Sequence, residues 1–383
     1  MDKHEQRFRD LLVGPIERFD QCNDMFRRTR YDPEWIRRAE TFYRPFQAQI
    51  RDKPGYGYEE HALSNAAWLV ERAWAKGCRG SGHDGLYRWA DPDADDDEGF
   101  PLPRLDVSDL VGVSQKVKRA ARLFGASLVG ICELDQRWLY SHVSDDLARQ
   151  RLPLEIPEGF RYAIAMAIEM DYDLMRTSPA GGAAAATGLG YSKMAFTAGM
   201  LAEFIRNLGY RALPCGNDTA LSIPIAVQAG LGELGRNGLL ITEKYGPRVR
   251  LCKVFTDLPL APDRPRFFGV EEFCGVCLKC AQDCPSRAIS FGEKTTEALN
   301  ISTNPGVLKW PVNGEQCYKY WVANKLDCAT CIRVCPFNQE QGWIHDLVRA
   351  GVKHAPWLNR MYLSFDQVLG YGRQRDPAAV WDG

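Results

Sequence analysis

Long apolar runs are missing from this chain of 383 residues. No stretch of 18 apolar residues occurs, which excludes a membrane-spanning helix. The opening Met1-Asp2-Lys3-His4-Glu5-Gln6-Arg7 lacks the apolar core of a secretory signal. Arg27-Arg28-Thr29-Arg30 offers paired arginines, but Asp32, Glu34, Arg37 and Arg38 follow where a twin-arginine leader would be apolar. Net charge is nearly absent as well: 48 Lys and Arg against 49 Asp and Glu leave −1, which disfavours wholesale binding to nucleic acid or anionic membrane. Histidine is scarce, with six residues, none in an Asp-x-His-x-x-Gly context. Cysteine is plentiful. Thirteen cysteines without a secretory signal read as metal ligands before they read as disulfides.

Eight of them form two motifs. Cys274-Gly-Val-Cys277-Leu-Lys-Cys280-Ala-Gln-Asp-Cys284-Pro285 has the C-x2-C-x2-C-x3-C-P spacing, in which three thiolates wrap one cubane and the fourth is carried toward a second. The second motif is stretched: Cys317, ten residues, then Cys328-Ala-Thr-Cys331-Ile-Arg-Val-Cys335-Pro336. By exchange of the fourth ligand, Cys274, Cys277, Cys280 and Cys335 hold one 4Fe–4S cluster, and Cys284, Cys317, Cys328 and Cys331 the other. Paired C-x2-C units also serve zinc ribbons, but zinc does not need the two C-x3-C-P endings. Cys22, Cys78, Cys132, Cys215 and Cys252 read as small buried hydrophobes.

The remaining chain alternates helices and strands, which predicts an α/β or α+β core of about 160 residues ahead of the cysteines, the α+β class being the reading adopted. The acidic run from Asp91 to Glu98 reads as a solvated loop at a domain boundary, without the glycine-centred spacing of a calcium site. Apolar spacing predicts a helix over 107–124 ending at Gly125, and strands at Leu128–Cys132, Tyr162–Glu169, Gly238–Thr242 and Arg248–Phe255. A helix is expected from Ser192 to Leu208, with Ser192 as N-cap and Gly209 beyond its end. Ser286–Ser290 reads as a short strand. Gly230-Leu-Gly232-Glu-Leu-Gly235 mimics a dinucleotide fingerprint, but no βαβ unit surrounds it.

Several segments together resemble the corrinoid reductive dehalogenases. They are Glu17-Arg-Phe-Asp-Gln21, Tyr191, Phe204-Ile-Arg-Asn-Leu-Gly-Tyr210, Ala229-Gly-Leu-Gly-Glu-Leu-Gly-Arg236 and Thr256-Asp-Leu-Pro-Leu260. Phe273-Cys274 and Cys317-Tyr-Lys-Tyr-Trp321 continue the match through both cysteine motifs. The resemblance implies a nitroreductase-like corrinoid-binding core (91–268), an N-terminal helical unit (1–90), a bacterial two-cluster ferredoxin-like domain (269–340) and a C-terminal segment returning to the core (341–383). It implies base-off cobalamin, with electrons running through the two clusters to cobalt, where a carbon–halogen bond of a small organohalide is cleaved.

Residue by residue, Tyr191, opening its helix, matches the family's proton donor, Arg250 the basic residue beside it, and Asn217 the polar pocket residue. A tyrosine of pKa about 10 gives up its proton more readily beside a cation. Trp321 and Phe26 resemble walls of the substrate pocket. The small residues of Ala180–Gly190 and Ala229–Gly235, with Thr187, Gly188, Gly230, Gly232 and Gly235 singled out, are expected to let the corrinoid and its tail approach the backbone. An external ferredoxin or flavodoxin would supply electrons, no nucleic acid or membrane span is expected, and a homodimer is compatible. The chain is expected in the cytoplasm, or on the membrane exterior if a twin-arginine leader has been trimmed. Two other readings stand beside this one: an epoxyqueuosine reductase acting on tRNA, from which Asp327-Cys328-Ala-Thr-Cys331-Ile departs, and a non-catalytic two-cluster electron carrier.

Overall fold

Aspartates start several of the helices in this chain. The computed structural model describes residues 2–42, 50–78, 104–145, 150–217, 219–340 and 342–381. Asp2 accepts from the His4 amide at 3.1 Å to cap α1 (Lys3–Asp10), and Asp24 accepts from the Phe26 amide at 2.9 Å to cap α2 (Met25–Tyr31). Each such cap is worth about 1 kcal/mol. α3 (Pro33–Phe42) follows. α4 (Tyr58–Ala67) and α5 (Leu69–Cys78) complete an N-terminal helical series, with Glu60 reaching back to the Gly57 amide at 2.9 Å. The acidic run Asp91–Glu98 lies outside the described residues. α6 (Leu110–Leu123) is capped by Asp109 and terminated at Gly125, whose φ of +114° few other residues adopt.

Among the described residues, eight strands and three more helices build the core: β1 (Leu128–Glu133), β2 (His142–Asp145), β3 (Gln150–Pro153), β4 (Tyr162–Glu169), α7 (Tyr172–Arg176), α8 (Gly181–Arg206), β5 (Ala212–Cys215), α9 (Ser222–Gln228), β6 (Glu233–Leu234), β7 (Leu240–Ile241) and β8 (Val249–Thr256). The central sheet runs β1-β4-β8-β5, antiparallel throughout. β4 reads as an unbroken apolar run because both of its faces are covered. Ile164, Met166 and Ile168, with Cys252 and Val254 of β8, pack on Met194, Ala198 and Leu201 of α8 and Val117 of α6. Ala163, Ala165 and Ala167 pack with Phe255 against Ile225 and Ala226 of α9 and against Trp138. Each fully buried Ile or Met there contributes about 1.5–3 kcal/mol.

The helix carrying Tyr191 differs from the sequence expectation. Ser192 is not its N-cap and Tyr191 does not open it: α8 starts at Gly181 and runs 26 residues, so Tyr191 stands mid-helix. Its glycine-rich first half has poor helix propensity, but tertiary packing overrides it. Thr177 Oγ1 accepts from the Ala183 amide at 3.0 Å, and Gly181 and Gly182 lie close under Glu60, Thr177 and Val380. Ser192 instead donates its hydroxyl to the Ala67 carbonyl at 2.6 Å, tying α8 to the end of α4. The small-residue stretch Ala180–Gly190 is thereby largely buried as helix against protein.

The cysteines sit on short helices and the loops between them. α10 (Val270–Val276) carries Cys274, α11 (Lys279–Gln282) carries Cys280, α12 (Gly314–Asn324) carries Cys317 and α13 (Thr330–Arg333) carries Cys331. The strand expected at Ser286–Ser290 is reduced to one bridge, Ile289 to Val312. α2 and α3 lie on α12 through Met25, Trp35 and Tyr318, and Arg7 of α1 pairs with Glu271 and Glu272 at 3.2 and 2.9 Å. The N-terminal helices are thus spread over core and cysteine segment. α14 (Trp343–His354) and α15 (Asn359–Val368) then cover Cys274, Cys277 and Cys335, with Lys279 paired to Asp366. The chain returns to the core where Gln374 donates to the Thr177 carbonyl at 2.9 Å and Trp381 to Glu60 at 2.9 Å.

Candidate active site

Three sequence-predicted residues from separate elements meet at one point. Tyr191 projects from the middle of α8, Arg250 from β8, and Asn217 from the loop after β5. Asn217 Nδ2 donates to the Tyr191 hydroxyl at 3.1 Å, and the Arg250 guanidinium carbon lies 5.0 Å from the Tyr191 ring centroid. Trp68, between α4 and α5, stacks on the same ring at 4.8 Å and 22°. Gly190 makes the approach of Arg250 feasible, since a Cβ there would stand 2.8 Å from Arg250 Cγ.

Behind the trio lies a second polar layer. Arg250 Nη2 donates to Thr187 Oγ1 at 3.2 Å. Asp327, immediately before Cys328, has its carboxyl pushed up by burial, with the Arg250 charge and a Thr187 hydrogen bond opposing that rise. Arg250 Nε is buried without a hydrogen-bond partner among the described residues. A half-buried Tyr191, an exposed Asn217 and that unsatisfied donor leave a polar face suited to a bound group.

Four thiols, of Cys274, Cys277, Cys280 and Cys335, line one small, partly open pocket together with Phe273, Ile241 and Phe337. Cys284, Cys317 and Cys331 share a second apolar cluster, and Cys331 feels Cys328, Cys317, Cys280 and Cys284. Burial pushes the Cys277 thiol up to about 11 and those of Cys280 and Cys317 up to about 12. Thiols desolvated in this way become thiolates only beside a compensating cation. Among the described residues no three Cys, His, Asp or Glu converge on a position for a single metal ion. The first set faces one pocket from four positions, the grouping that a shared cluster would need. Arg236 and Asn237 brace both loops: Arg236 Nε donates to the Cys274 carbonyl at 3.0 Å, and Asn237 Nδ2 to the Cys331 carbonyl at 3.3 Å.

The expected corrinoid contacts are placed differently from the trio. Thr187 joins the site through Arg250, but Gly188 lies under Trp68, 2.5 Å from where a Cβ would be. A Cβ on Gly230 would stand 2.4 Å from the Arg264 carbonyl oxygen, one on Gly232 2.2 Å from that of Ile241, and one on Gly235 2.8 Å from the Ile241 side chain. The fold itself demands these glycines, because protein already fills the space beside each α-carbon. Phe26 and Trp321 come together at 5.2 Å, within an aromatic group that includes Tyr318 and Phe42. Phe26 is 44% exposed, and Trp321 Nε1 is buried with no oxygen or nitrogen partner among the described residues.

No family model matches the chain. Tetrachloroethene reductive dehalogenase of Dehalobacter restrictus is 42% identical over 303 residues, 69% of this chain and 55% of that protein. The chain belongs to the reductive dehalogenase family. It spans about half the length of such relatives. The solved structure of the catabolic reductive dehalogenase NpRdhA, in complex with 3-bromo-4-hydroxybenzoic acid, superposes with a TM-score of 0.71 at 25% identity, covering 97% of this chain and 49% of that one. Epoxyqueuosine reductase of Listeria monocytogenes matches only 42% of this chain, at 29% identity, so that alternative is not favoured. No helix among the described residues is long and apolar enough to cross a membrane.

Trp68, stacked on Tyr191, and Asp327, beside Arg250 and Thr187, are neighbours of the trio that sequence patterns did not single out. Trp68 has no motif around it. Asp327 stood out only as a departure from the rival family's spacing, and its position before Cys328 was the available signal.

Proposed function

We propose that this chain is a reductive dehalogenase that cleaves a carbon–halogen bond of a small organohalide, with electrons arriving through two 4Fe–4S clusters from an external ferredoxin or flavodoxin. Bound cobalamin would supply the low-potential electrons that break the carbon–halogen bond. The observation that carries the reading is the Tyr191 hydroxyl, hydrogen-bonded by Asn217 at 3.1 Å, with Arg250 5.0 Å over its ring. Tyr191 donates the proton that the dehalogenated carbon needs, and the Arg250 charge and Asn217 N–H stabilise the oxygen left behind. Cys274, Cys277, Cys280 and Cys335 hold one cluster. Cys284, Cys317, Cys328 and Cys331 hold the other, which lies nearer the reaction because Cys328 follows Asp327 in the layer behind Arg250. Phe26 and Trp321 wall the substrate side, and Thr187 and Arg250 offer polar contacts to the cofactor. A non-catalytic carrier would have no use for this trio.

Substituting Tyr191→Phe tests the assignment. The variant should keep its iron and corrinoid yet lose halide release with an artificial low-potential donor. Near-normal turnover in it would remove Tyr191 from the role.

A further inference from the structure

Lys253 is a cation set into an apolar strand and only 1% exposed. Strand alternation points it to the α9 face of the sheet, opposite Arg250. Its Nζ donates to the Gly216 carbonyl, to the Ala220 carbonyl at 3.1 Å and to Ser222 Oγ at 3.0 Å. Ser222 Oγ lies 3.1 Å from Asn217 Oδ1, and Asn217 Nδ2 lies 3.1 Å from the Tyr191 hydroxyl. Tyr140 holds the same loop by donating to the Asn217 carbonyl at 3.2 Å.

The direction of this chain follows from the donor inventory. An ammonium has three donors and no acceptor, so Ser222 must accept from Lys253. The single hydroxyl hydrogen of Ser222 then goes to Asn217 Oδ1. With Oδ1 so engaged, the amide presents Nδ2 to Tyr191, and the phenolic oxygen accepts. The reversed amide would place Oδ1 there and draw the Tyr191 proton toward Asn217, away from a substrate.

We propose that Lys253 is a positioning residue for the proton donor, acting through Ser222 to fix the Asn217 amide so that it donates to Tyr191. When Tyr191 gives its proton to the dehalogenated carbon, its O–H bond breaks and the oxygen keeps the electron pair. Asn217 then donates to an anion, where a hydrogen bond is worth most. This inference rests on Tyr191 being the proton donor, but the polarity of the chain can be read without turnover.

The test uses the cluster- and cobalamin-loaded protein labelled at the tyrosine ring carbon bearing oxygen, with the Tyr191 signal assigned by its loss in Tyr191→Phe. Ser222→Ala cuts the chain and leaves Lys253 its two carbonyl acceptors, so folding is preserved. The pH midpoint of the Tyr191 signal should rise by about one unit in Ser222→Ala, the tenfold expected from weakening a hydrogen bond to a charged group. Ser222→Thr should restore it, and kcat should fall in Ser222→Ala with KM unchanged. The titratable and charged groups on the surrounding elements (Arg250 over the Tyr191 ring, Asp327 beside Arg250, and Glu71, whose amide meets Ser192) are common to all variants. An unmoved midpoint in Ser222→Ala overturns the inference. Turnover by Tyr191→Phe, with the midpoint still moved by Ser222→Ala, overturns the proton-donor role and leaves the polarity of the chain standing.

Discussion

Replacing Arg250 by Met removes the charge above Tyr191 and keeps much of the side chain's bulk. Its guanidinium carbon stands 5.0 Å from the ring centroid. A unit charge at that distance from a developing phenolate is worth about 3 kcal/mol at an effective dielectric of about 20. Solvent reaches both residues, so the usable part is about 1–2 kcal/mol. That corresponds to a loss of roughly 5–30-fold in the proton-transfer step. The assay is halide release from pre-reduced enzyme in H2O and D2O, with iron and corrinoid content matched. Arg250→Met should be slower by that factor, with a larger solvent isotope effect as proton transfer becomes more limiting. Arg250→Lys should fall in between, because it keeps the charge while losing the planar fork that reaches Thr187. Equal rates in the Met and Lys variants would refute a role for charge.

Two further outcomes concern the frame around the site. Gly232→Ala forces a Cβ to 2.2 Å from the Ile241 carbonyl oxygen and should cost about 1–3 kcal/mol, read as a Tm lowered by several degrees; an unchanged Tm would contradict the packing account. Glu233 is buried, with its carboxyl pushed up by desolvation against hydrogen bonds from the Phe268 and Val270 amides and the Arg7 charge. A carboxyl raised in the fold stabilises below its unfolded pKa, and that stability is lost as pH rises through the folded value. Glu233→Gln keeps Oε1 as acceptor but cannot ionise, so its Tm should fall less than wild type between pH 5 and pH 8. A steeper fall would reverse the sign.

The sheet was legible because its residues carry the information locally. Tyr162–Glu169 is apolar at nearly every position, and β4 spans those same residues with both faces covered. The cysteine spacing likewise brings Cys274, Cys277, Cys280 and Cys335 to one cavity. Tyr191, Arg250 and Asn217 came into view through resemblance, since no local pattern joins positions so far apart. The start of α8 was hidden because alanine and glycine carry no face, and its register is set by Glu60, Trp68 and Val380 from distant segments. The spacing of Gly230, Gly232 and Gly235 suggested contact with a bound group, whereas Arg264 and Ile241 are what they meet. A charged Lys253 inside an apolar strand was a readable anomaly, but its line to Tyr191 passes through a turn whose geometry sequence does not encode.

The most direct measurement is anaerobic reconstitution with cobalamin, iron and sulfide, followed by halide release over a panel of aryl and alkenyl halides. The account predicts about eight irons and about one corrinoid per chain, with halide released only when both are present and a low-potential donor is supplied. Full cluster loading without corrinoid uptake or halide release would contradict it and leave an electron carrier in its place.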